Sequence, residues 1–391
     1  MSSYFIEATT AIVLCVDQKD DKENHELISL LDIAVDGPTD QACVIRYVIV
    51  RLPPRIASQS HRLLYIFDCV GLSFNQPMIS ACTVWHSDAI TFTNSNTIIG
   101  AQPSTVFVTV DNTILVTSTD RNRLVEWFSP SALSPDYILG NLTQPKGLFV
   151  SSTGDVYVDN GFALGRVEAW PSNATQFNNS WNVNGSCFAL FLVHDNTLYC
   201  SLGSLHRVVN ISLAYPSTSP STVAGSGVNG SSSDMLRDPH GIFVTPNTLD
   251  LYVADSGNDR IQMFAYGRLN GTTVAGAGAP GTVSLNQPRA VILDAAGVLF
   301  IVDTMSHRIV TSWSHGFRCI AGCAGTSGST SSKLNTPVSL SFDRDGNLLV
   351  VDQGNARIQN FSVARNSCGK CSSLSTFEQS MRDMSRRCSH S

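Results

Sequence analysis

The segment Pro239-His-Gly-Ile-Phe-Val244, followed by Leu251-Tyr-Val-Ala-Asp255-Ser-Gly-Asn-Asp-Arg260-Ile-Gln262, decides the fold of this chain. It holds short apolar runs separated by turn-forming residues, and Asp255 precedes Arg260 by five positions. Apolar runs of this length, bounded by Gly, Asn, Asp and Pro, predict short β-strands joined by tight turns. The segment therefore predicts a unit of antiparallel strands.

The same unit recurs along the chain in six copies. Each copy begins at a residue that we call its first position. These residues are Pro103, Pro145, Cys187, Pro239, Pro288 and Pro337. Each copy holds an arginine that precedes Ile, Val or Leu: Arg123, Arg166, Arg207, Arg260, Arg308 and Arg357. About four short strands in 40–50 residues are the period of a propeller blade, which must pack against other blades to bury its faces. The sequence predicts an all-β, six-bladed β-propeller with four-stranded antiparallel blades.

The phrase at 251–262, together with the one at 239–244, resembles the NHL repeat. The resemblance covers about residues 97–363 and is strongest in the last three copies. It implies an NHL propeller of the extracellular type. It does not by itself imply one biochemical role, because propellers of this kind serve many purposes.

The repeats divide the chain into three parts. Residues 1–75 do not fit the repeat and are left without an assigned fold, residues 76–366 are expected to form the propeller, and residues 367–391 are expected to be a flexible tail. A closed ring must join its ends. We expect the run Thr97–Gly100 to complete the sixth blade beside the last strand.

Cysteines and glycosylation sequons favour an oxidising, extracellular setting. The predicted disulfides among the 11 cysteines are Cys82–Cys368, Cys187–Cys200 and Cys319–Cys323. The eight Asn-x-Ser/Thr sequons are at Asn141, Asn173, Asn178, Asn184, Asn210, Asn229, Asn270 and Asn360. The first residues do not form a clear signal peptide, since Glu7 interrupts the first apolar run. A cytoplasmic location is therefore the alternative.

Charge and hydropathy limit the classes of partner that the chain is expected to bind. The formal net charge is −6, and the repeats contain no block of Lys or Arg, which disfavours nucleic-acid binding because that needs clustered positive charge. Arg46 and Asp68 interrupt the longest apolar stretches, each far short of the roughly 20 residues of a membrane helix. The sequence predicts no nucleic-acid partner and no membrane span, and leaves the oligomeric state open.

A repeated acidic residue accompanies the repeated arginine in the last three copies, as Asp255, Asp303 and Asp352. Positions repeated from blade to blade are expected to be architectural, with Asp accepting hydrogen bonds from turn amides and Arg bracing the same turn. The alternative is a ring of charges around one face.

Signatures of catalysis are weak. A stretch that begins at Asp159 resembles a blade of the zinc-dependent peptidyl-hydroxyglycine lyase, and that activity is one alternative. A channel zinc needs about three protein ligands, but the residues that follow the six first positions include one histidine. They are Ser104, Lys146, Phe188, His240, Arg289 and Val338. The sequence predicts no metal, no cofactor and a protein that is not an enzyme.

The function expected from these observations is a binding scaffold. Loops and strand ends on a stiff disc are where binding residues normally lie. We expect one face to recognise a protein, or a glycan, around the central opening, with His240, Arg289 and Lys146 as the candidate contacts. A second alternative is an intracellular NHL adaptor of the ubiquitin-ligase type. Such an adaptor would lack the zinc-binding RING domain of those ligases, because the first 80 residues hold no paired Cys-x-x-Cys.

Overall fold

The computed structural model describes residues 29–36, 42–49, 63–66, 72–79, 83–94, 98–129, 134–172, 174, 176–215, 219–279, 283–314 and 316–364. Three strands near the N-terminus form a sheet of their own in sequence order, and the second pairs antiparallel with the third. They are β1 Ser29–Asp36, β2 Ala42–Ile49 and β3 Leu63–Ile66.

The first three blades contain four antiparallel strands each. Blade 1 is β5 Pro103–Val108, β6 Ile114–Ser118, β7 Arg123–Trp127 and β8 Tyr137–Leu139. Blade 2 is β9 Leu148–Val150, β10 Val156–Asp159, β11 Arg166–Trp170 and β12 Asn179–Asn182, with the short helix α1 Gly161–Leu164 between β10 and β11. Blade 3 is β13 Leu190–Leu192, β14 Thr197–Leu202, β15 Arg207–Ser212 and β16 Ser221–Ala224.

The last three blades follow the same plan. Blade 4 is β17 Pro239–Val244, β18 Leu251–Asp255, β19 Arg260–Phe264 and β20 Thr272–Gly276. Blade 5 is β21 Pro288–Leu293, β22 Leu299–Asp303, β23 Arg308–Trp313 and β24 Gly316–Ala321. Blade 6 is β25 Pro337–Phe342, β26 Leu348–Asp352, β27 Arg357–Phe361 and β4 Ile90–Asn94. In blades 3 to 6 a 3-10 turn joins the second and third strands: Gly203–Leu205, Ser256–Asn258, Thr304–Ser306 and Gln353–Asn355. The prediction of an all-β, six-bladed propeller is confirmed.

The ring closes with a strand that precedes the first blade in sequence. β4 pairs antiparallel with β27, with Arg357 opposite Asn94 and Asn360 opposite Ile90. The prediction that Thr97–Gly100 supplies this strand was wrong, because Ile98 and Ile99 lie in a turn. Ile99 is buried four residues before Pro103, and a buried leucine lies three residues before the first position of four later copies. These are Leu142, Leu236, Leu285 and Leu334. The apolar character of the run therefore reflects burial of a loop.

The residue before each repeat arginine turns the chain with a positive φ. These residues are Asn122, Gly165, His206, Asp259, His307 and Ala356, with φ between 49° and 59°. Four of them also cap the next blade: the side chains of Asn122, His206, Asp259 and His307 accept hydrogen bonds from backbone amides at 2.7–3.2 Å. His206 and His307 therefore hold neighbouring blades together, and their imidazoles accept from Asp238 and Thr336.

The glycine at the end of an outer strand is required by close packing. Gly276 has a φ of +87°, and a Cβ there would lie 2.3 Å from the carbonyl oxygen of Asp259. Only glycine adopts this conformation readily without such a clash.

Within the described residues, no helix is long and apolar enough to cross a membrane.

Candidate functional site

The innermost strands of the six blades line one central cavity of about 260 Å³. The residue that follows each first position lies on its wall, although these residues are far apart in sequence. They are Ser104, Lys146, Phe188, His240, Arg289 and Val338. The three candidate contacts predicted from the sequence are thus brought together at one end of the cavity, which we call the channel mouth.

Four consecutive blades form an arc of side chains at the channel mouth. The Lys146 ammonium lies 3.9 Å from the ring centre of Phe188, and the Phe188 and His240 rings are 4.1 Å apart between centres. Arg289 follows on blade 5 and lines the same cavity. On blades 6 and 1 the corresponding residues are the uncharged Val338 and Ser104. The mouth therefore has a cationic side and a neutral side.

Burial sets the charges of this arc. Desolvation lowers the pKa of His240 to about 4, opposed by Asp238 and aided by the positive charge of Arg289. The imidazole is therefore neutral at pH 7, and its Nδ1 lies 3.0 Å from the Asp238 carbonyl oxygen. Desolvation also lowers the pKa of Lys146 and of Arg289. Both side chains are costly to hold as cations, because each has lost part of its water.

The deeper part of the cavity is apolar. Phe107, Phe149, Phe191 and Phe243 come from blades 1 to 4, and neighbouring rings lie 5.0–5.2 Å apart. Phe74, which precedes the first blade, lies among them at 5.5–6.1 Å from three of these rings. Edge-to-face and tilted ring pairs of this kind stabilise packed aromatic side chains. The cavity thus joins a polar mouth to an aromatic chamber.

A second pocket of about 250 Å³ adjoins the channel mouth between blades 4 and 5. His240 and Arg289 line both cavities. The further lining residues are Arg237, Asp238, Ser256, Gly257 and Gln287. The two candidate contacts therefore separate the channel from a polar side pocket.

Asp159 is a buried carboxyl group close to the arc. Its oxygens accept hydrogen bonds from the backbone amides of Cys187 at 2.8 Å and Gly161 at 3.2 Å, and from the Ser186 hydroxyl at 2.9 Å. Burial nevertheless raises its pKa to about 7, against these hydrogen bonds and the charge of Lys146. The group therefore titrates near neutral pH.

In blades 4 to 6 the repeated Asp and Arg residues lie in buried turns. The Arg Nε to Asp Oδ2 distances are 2.7 Å for Arg260–Asp255, 2.8 Å for Arg308–Asp303 and 2.7 Å for Arg357–Asp352. The other carboxylate oxygen of each Asp accepts a backbone amide two residues before the first position, at 2.6–2.7 Å. The guanidinium groups also donate to backbone carbonyls in the preceding loop. These residues do not line the channel cavity.

Blades 1 to 3 place other residues at the position of the repeat Asp: Ser118, Asn160 and Leu202. The arginines consequently find other partners: Arg123 donates to the carbonyl of Ile98, and Arg166 pairs with Glu168 at 2.6 Å. Nε of Arg207 is buried and finds no hydrogen-bond acceptor among the described residues.

The structure brings two of the predicted cysteine pairs to disulfide distance, Cys187–Cys200 and Cys319–Cys323. The predicted Cys82–Cys368 bridge lies outside the described residues, as does the sequon at Asn173. Five sequon asparagines are exposed: Asn141, Asn178, Asn184, Asn229 and Asn270. Asn210 and Asn360 are half-buried within strands. Among the described residues, no group of three or more His, Cys, Asp or Glu side chains is placed to hold a metal ion.

Comparison with known proteins agrees with this geometry. A family profile described as the NHL repeat matches residues 236–264, which include the first three strands of blade 4. The chain is a six-bladed β-propeller that contains an NHL repeat. No curated protein matches it in sequence.

Solved structures share the fold of this NHL propeller. A protein of unknown function from Bacteroides thetaiotaomicron is 13% identical over 82% of this chain and 82% of its own, with a TM-score of 0.54. A gluconolactonase from Xanthomonas campestris is 13% identical over 74% of this chain and 94% of its own, with a TM-score of 0.51. A virginiamycin B lyase from Staphylococcus aureus is 10% identical over 86% of this chain and 100% of its own, with a TM-score of 0.46. At these identities the likeness to the first two structures shows the fold alone.

The expectation that the NHL propeller is not an enzyme is corrected by these comparisons. The gluconolactonase is an enzyme with this fold, so a missing catalytic motif in the sequence is no argument against catalysis. The inference failed because a propeller channel collects its polar groups from different blades, and such a set leaves no local sequence motif.

Sequence reasoning missed three residues of the site. Repeat alignment placed Phe188 at the same position as Lys146 and His240, but Phe188 was not named as a candidate contact. Asp159 immediately precedes Asn160, the residue at the repeat Asp position. No local pattern marks Phe74, because it lies outside the repeats and reaches the channel only through the fold.

Proposed function

We propose that the NHL propeller binds a partner molecule through the channel mouth, which receives an anionic group of that partner. The observation that carries this proposal is the convergence of Lys146 and Arg289 on one cavity. Within the described part of the chain, neither side chain has a carboxylate within ion-pair distance. A bound anion would offset the desolvation of both cations.

The neighbouring groups support the same assignment. His240 is 6% exposed and neutral at pH 7, so it can complete a hydrogen-bonding site without adding a third charge. The Phe188 ring lies between Lys146 and His240 and limits the directions in which the ammonium can point. Fixed donors in a partly dry site bind an anion more strongly than mobile surface lysines do.

The test is a binding titration that is monitored by calorimetry. Benzoate and hexanoate serve as anionic probes, and tetramethylammonium serves as the cationic comparison. We expect the anions to bind, with affinity that falls as salt is added. Lys146→Ala/Arg289→Ala should weaken binding by about tenfold or more, since a hydrogen bond to a charged group contributes about 1.5–3 kcal/mol.

A matched control removes a positive charge elsewhere. Arg268 is exposed in the loop between β19 and β20 and does not line the cavity. Arg268→Ala should leave the affinity unchanged. Equal affinity in wild type and the double variant, or no binding of any anion, would refute the proposed site.

An extracellular location is the second part of this proposal. Two cysteine pairs at disulfide distance and five exposed sequon asparagines support it, because disulfides persist in oxidising compartments. The measurement is non-reducing peptide mapping with glycan detection on protein from its native source. Linked Cys187 and Cys200 with occupied sequons are expected, whereas free thiols and bare asparagines would exclude this location.

A further inference from the structure

Residues 72–79 lie at the end of the channel opposite the mouth, beside the last residues of the innermost strands of blades 1, 5 and 6. Phe74 lines the cavity and faces the rings of Phe149, Phe191 and Phe243. Its backbone forms a β-bridge with Thr109, in the turn after β5. The residue lies before the first blade in sequence, yet its side chain forms the floor of the chamber.

Hydrogen bonds tie this floor to three blades. Nδ2 of Asn75 donates to the carbonyl oxygens of Thr109 at 2.8 Å and Phe342 at 3.3 Å, on blades 1 and 6. Nε2 of Gln76 donates to the Asp294 carbonyl at 3.1 Å, and the amide of Ile79 donates to the Asp294 carboxylate at 3.0 Å, on blade 5. These hydrogen bonds to three blades fix the depth at which the Phe74 side chain enters the channel.

The charges at the mouth indicate the valence of the ligand. Lys146 and Arg289 supply two positive charges, and Asp238 supplies one nearby negative charge that acts on both. Asp159, whose pKa is about 7, adds a partial negative charge that acts on Lys146. At most one net positive charge remains, which matches a ligand with no more than one negative charge. A monovalent carboxylate fits this balance better than a phosphate, which carries between one and two charges at neutral pH.

The chamber below the mouth indicates the rest of the ligand. Its aromatic wall offers no charged group. The whole cavity, mouth and chamber together, has a volume of about 260 Å³, just below the roughly 300–1,000 Å³ of ordinary small-molecule sites. An apolar body buried there gains the hydrophobic contribution, and the floor limits how long that body can be.

We infer that the ligand is a small amphipathic carboxylate, whose head group binds Lys146 and Arg289 and whose apolar body fills the chamber down to Phe74. Phe74 therefore sets the length of ligand that the channel accepts. This inference rests on the proposed anion site and adds the ligand class and a specificity-determining residue.

The experiment is a chain-length series of straight-chain carboxylates, measured by calorimetry on the full chain. The probes are butanoate, hexanoate, octanoate, decanoate and dodecanoate. We expect affinity to rise about fourfold with each added methylene group and to stop rising, or fall, once the chain reaches the floor. The length at which the rise stops is the quantity compared between variants.

Two variants move the floor in opposite directions. Phe74→Ala deepens the chamber, so the longest probes should gain affinity relative to wild type. Phe74→Trp raises the floor, so the rise should stop at a shorter chain. Because the two predictions oppose each other, loss of folding in one variant leaves the other informative. Circular dichroism and thermal unfolding establish that each variant is folded.

The control is Phe128→Ala, which removes a phenylalanine that is 50% exposed at the end of β7; it should leave the length profile unchanged. Anion binding that is independent of chain length, or an unchanged profile in both Phe74 variants, would overturn this inference while leaving the proposed anion site standing. Absence of anion binding, or binding that survives Lys146→Ala/Arg289→Ala, would instead refute the site itself.

Discussion

Blades 4 to 6 and blades 1 to 3 are built from one repeat, yet they hold their turns in different ways. In blades 4 to 6 a buried Asp carboxylate pairs with an Arg and accepts a loop amide, as Asp255 does with Arg260 and Arg237. In blades 1 to 3 neutral residues occupy the Asp position, such as Asn160, whose side-chain oxygen accepts the amide of Thr143 at 2.6 Å. Blades 4 to 6 therefore share one Asp–Arg pair, whereas the contacts that hold the turns of blades 1 to 3 differ from blade to blade. They include the Arg166–Glu168 ion pair of blade 2 and the Asp120 carboxylate of blade 1, which accepts the amide of Ala101.

A second difference lies one residue earlier in the repeat. Blades 1 to 3 carry the polar residues Thr117, Asp159 and Ser201 there, and each bonds to the backbone of an innermost strand or the turn leading into it. Blades 4 to 6 carry the buried apolar residues Ala254, Val302 and Val351. The comparison teaches that the regular repeats place apolar residues at this position, whereas the divergent repeats place hydrogen-bonding groups there, of which Asp159 titrates near neutral pH.

The largest expected effect comes from breaking a charged turn. Asp255→Asn should lower the free energy of unfolding by about 3–5 kcal/mol, because Arg260 would remain buried without its carboxylate. Asn160→Ala, at the matching position of blade 2, should cost about 1–3 kcal/mol, the loss of a neutral hydrogen-bond acceptor for one buried amide. Urea unfolding of both variants measures the difference. Equal losses would show that the two kinds of turn are energetically alike.

The next effect is a pH dependence that comes from Asp159. Its pKa in the folded state is about 7, against 3.8 as the ordinary value. The unfolded chain therefore loses this proton first as pH rises, so the stability contributed by the protonated group is complete below about pH 4 and is lost by about pH 7. The loss amounts to up to about 4 kcal/mol.

Asp159→Asn isolates that contribution because it removes the titration while keeping the side-chain shape. The stability of the variant relative to wild type should rise between about pH 4 and pH 7 and stay constant above that, as measured by urea unfolding at each pH. A stability difference that does not change with pH would show that Asp159 is ionised in the folded protein throughout this range.

A smaller difference in stability is expected between the loss of the disulfide of blade 3 and the loss of the disulfide of blade 5. Cys187–Cys200 links residues 13 apart, and Cys319–Cys323 links residues 4 apart. Loop-closure entropy gives about 3 kcal/mol for the first and about 2 kcal/mol for the second. Cys187→Ala/Cys200→Ala should therefore lower the unfolding temperature more than Cys319→Ser/Cys323→Ser in oxidised protein. The reverse order would mean that local packing outweighs loop length.

The smallest effect is a gain in stability at the channel mouth. Lys146→Met keeps an apolar stem beside Phe188 and removes a partly desolvated ammonium, so the free energy of unfolding should rise by about 0.5–1 kcal/mol. Binding of hexanoate should weaken in the same variant. Arg268→Met is the exposed control and should change neither quantity. A less stable Lys146→Met variant would show that the Lys146–Phe188 contact contributes more than burial of the charge costs.

Much of this architecture could be predicted from the sequence, because its signals are local. The starts at Pro239, Pro288 and Pro337 are the first residues of innermost strands, as the repeat predicts. The predicted pairing of Cys187 with Cys200 is confirmed, although Cys187 precedes β13 and Leu190 lies opposite Cys200. The closing strand was misplaced because the apolar character of Ile99 suits both a strand and a buried loop.

The channel itself was only partly predictable. Position in the repeat identified Lys146, His240 and Arg289, because equivalent positions of successive blades face the same axis. The same rule holds for Phe188, but its stacking between Lys146 and His240 depends on the distance between blades. That distance is a property of the closed ring.

The sequence by itself determined the strands, their turns and the number of blades, because period, turn residues and apolar alternation act over a few neighbouring residues. Only the tertiary structure decided what the channel contains. It placed Phe74 beneath three aromatic rings and buried Asp159 near Lys146. The physical reason is that desolvation and long-range packing depend on which residues the closed ring brings together. The distances between side chains of different blades cannot be read from their separation in sequence.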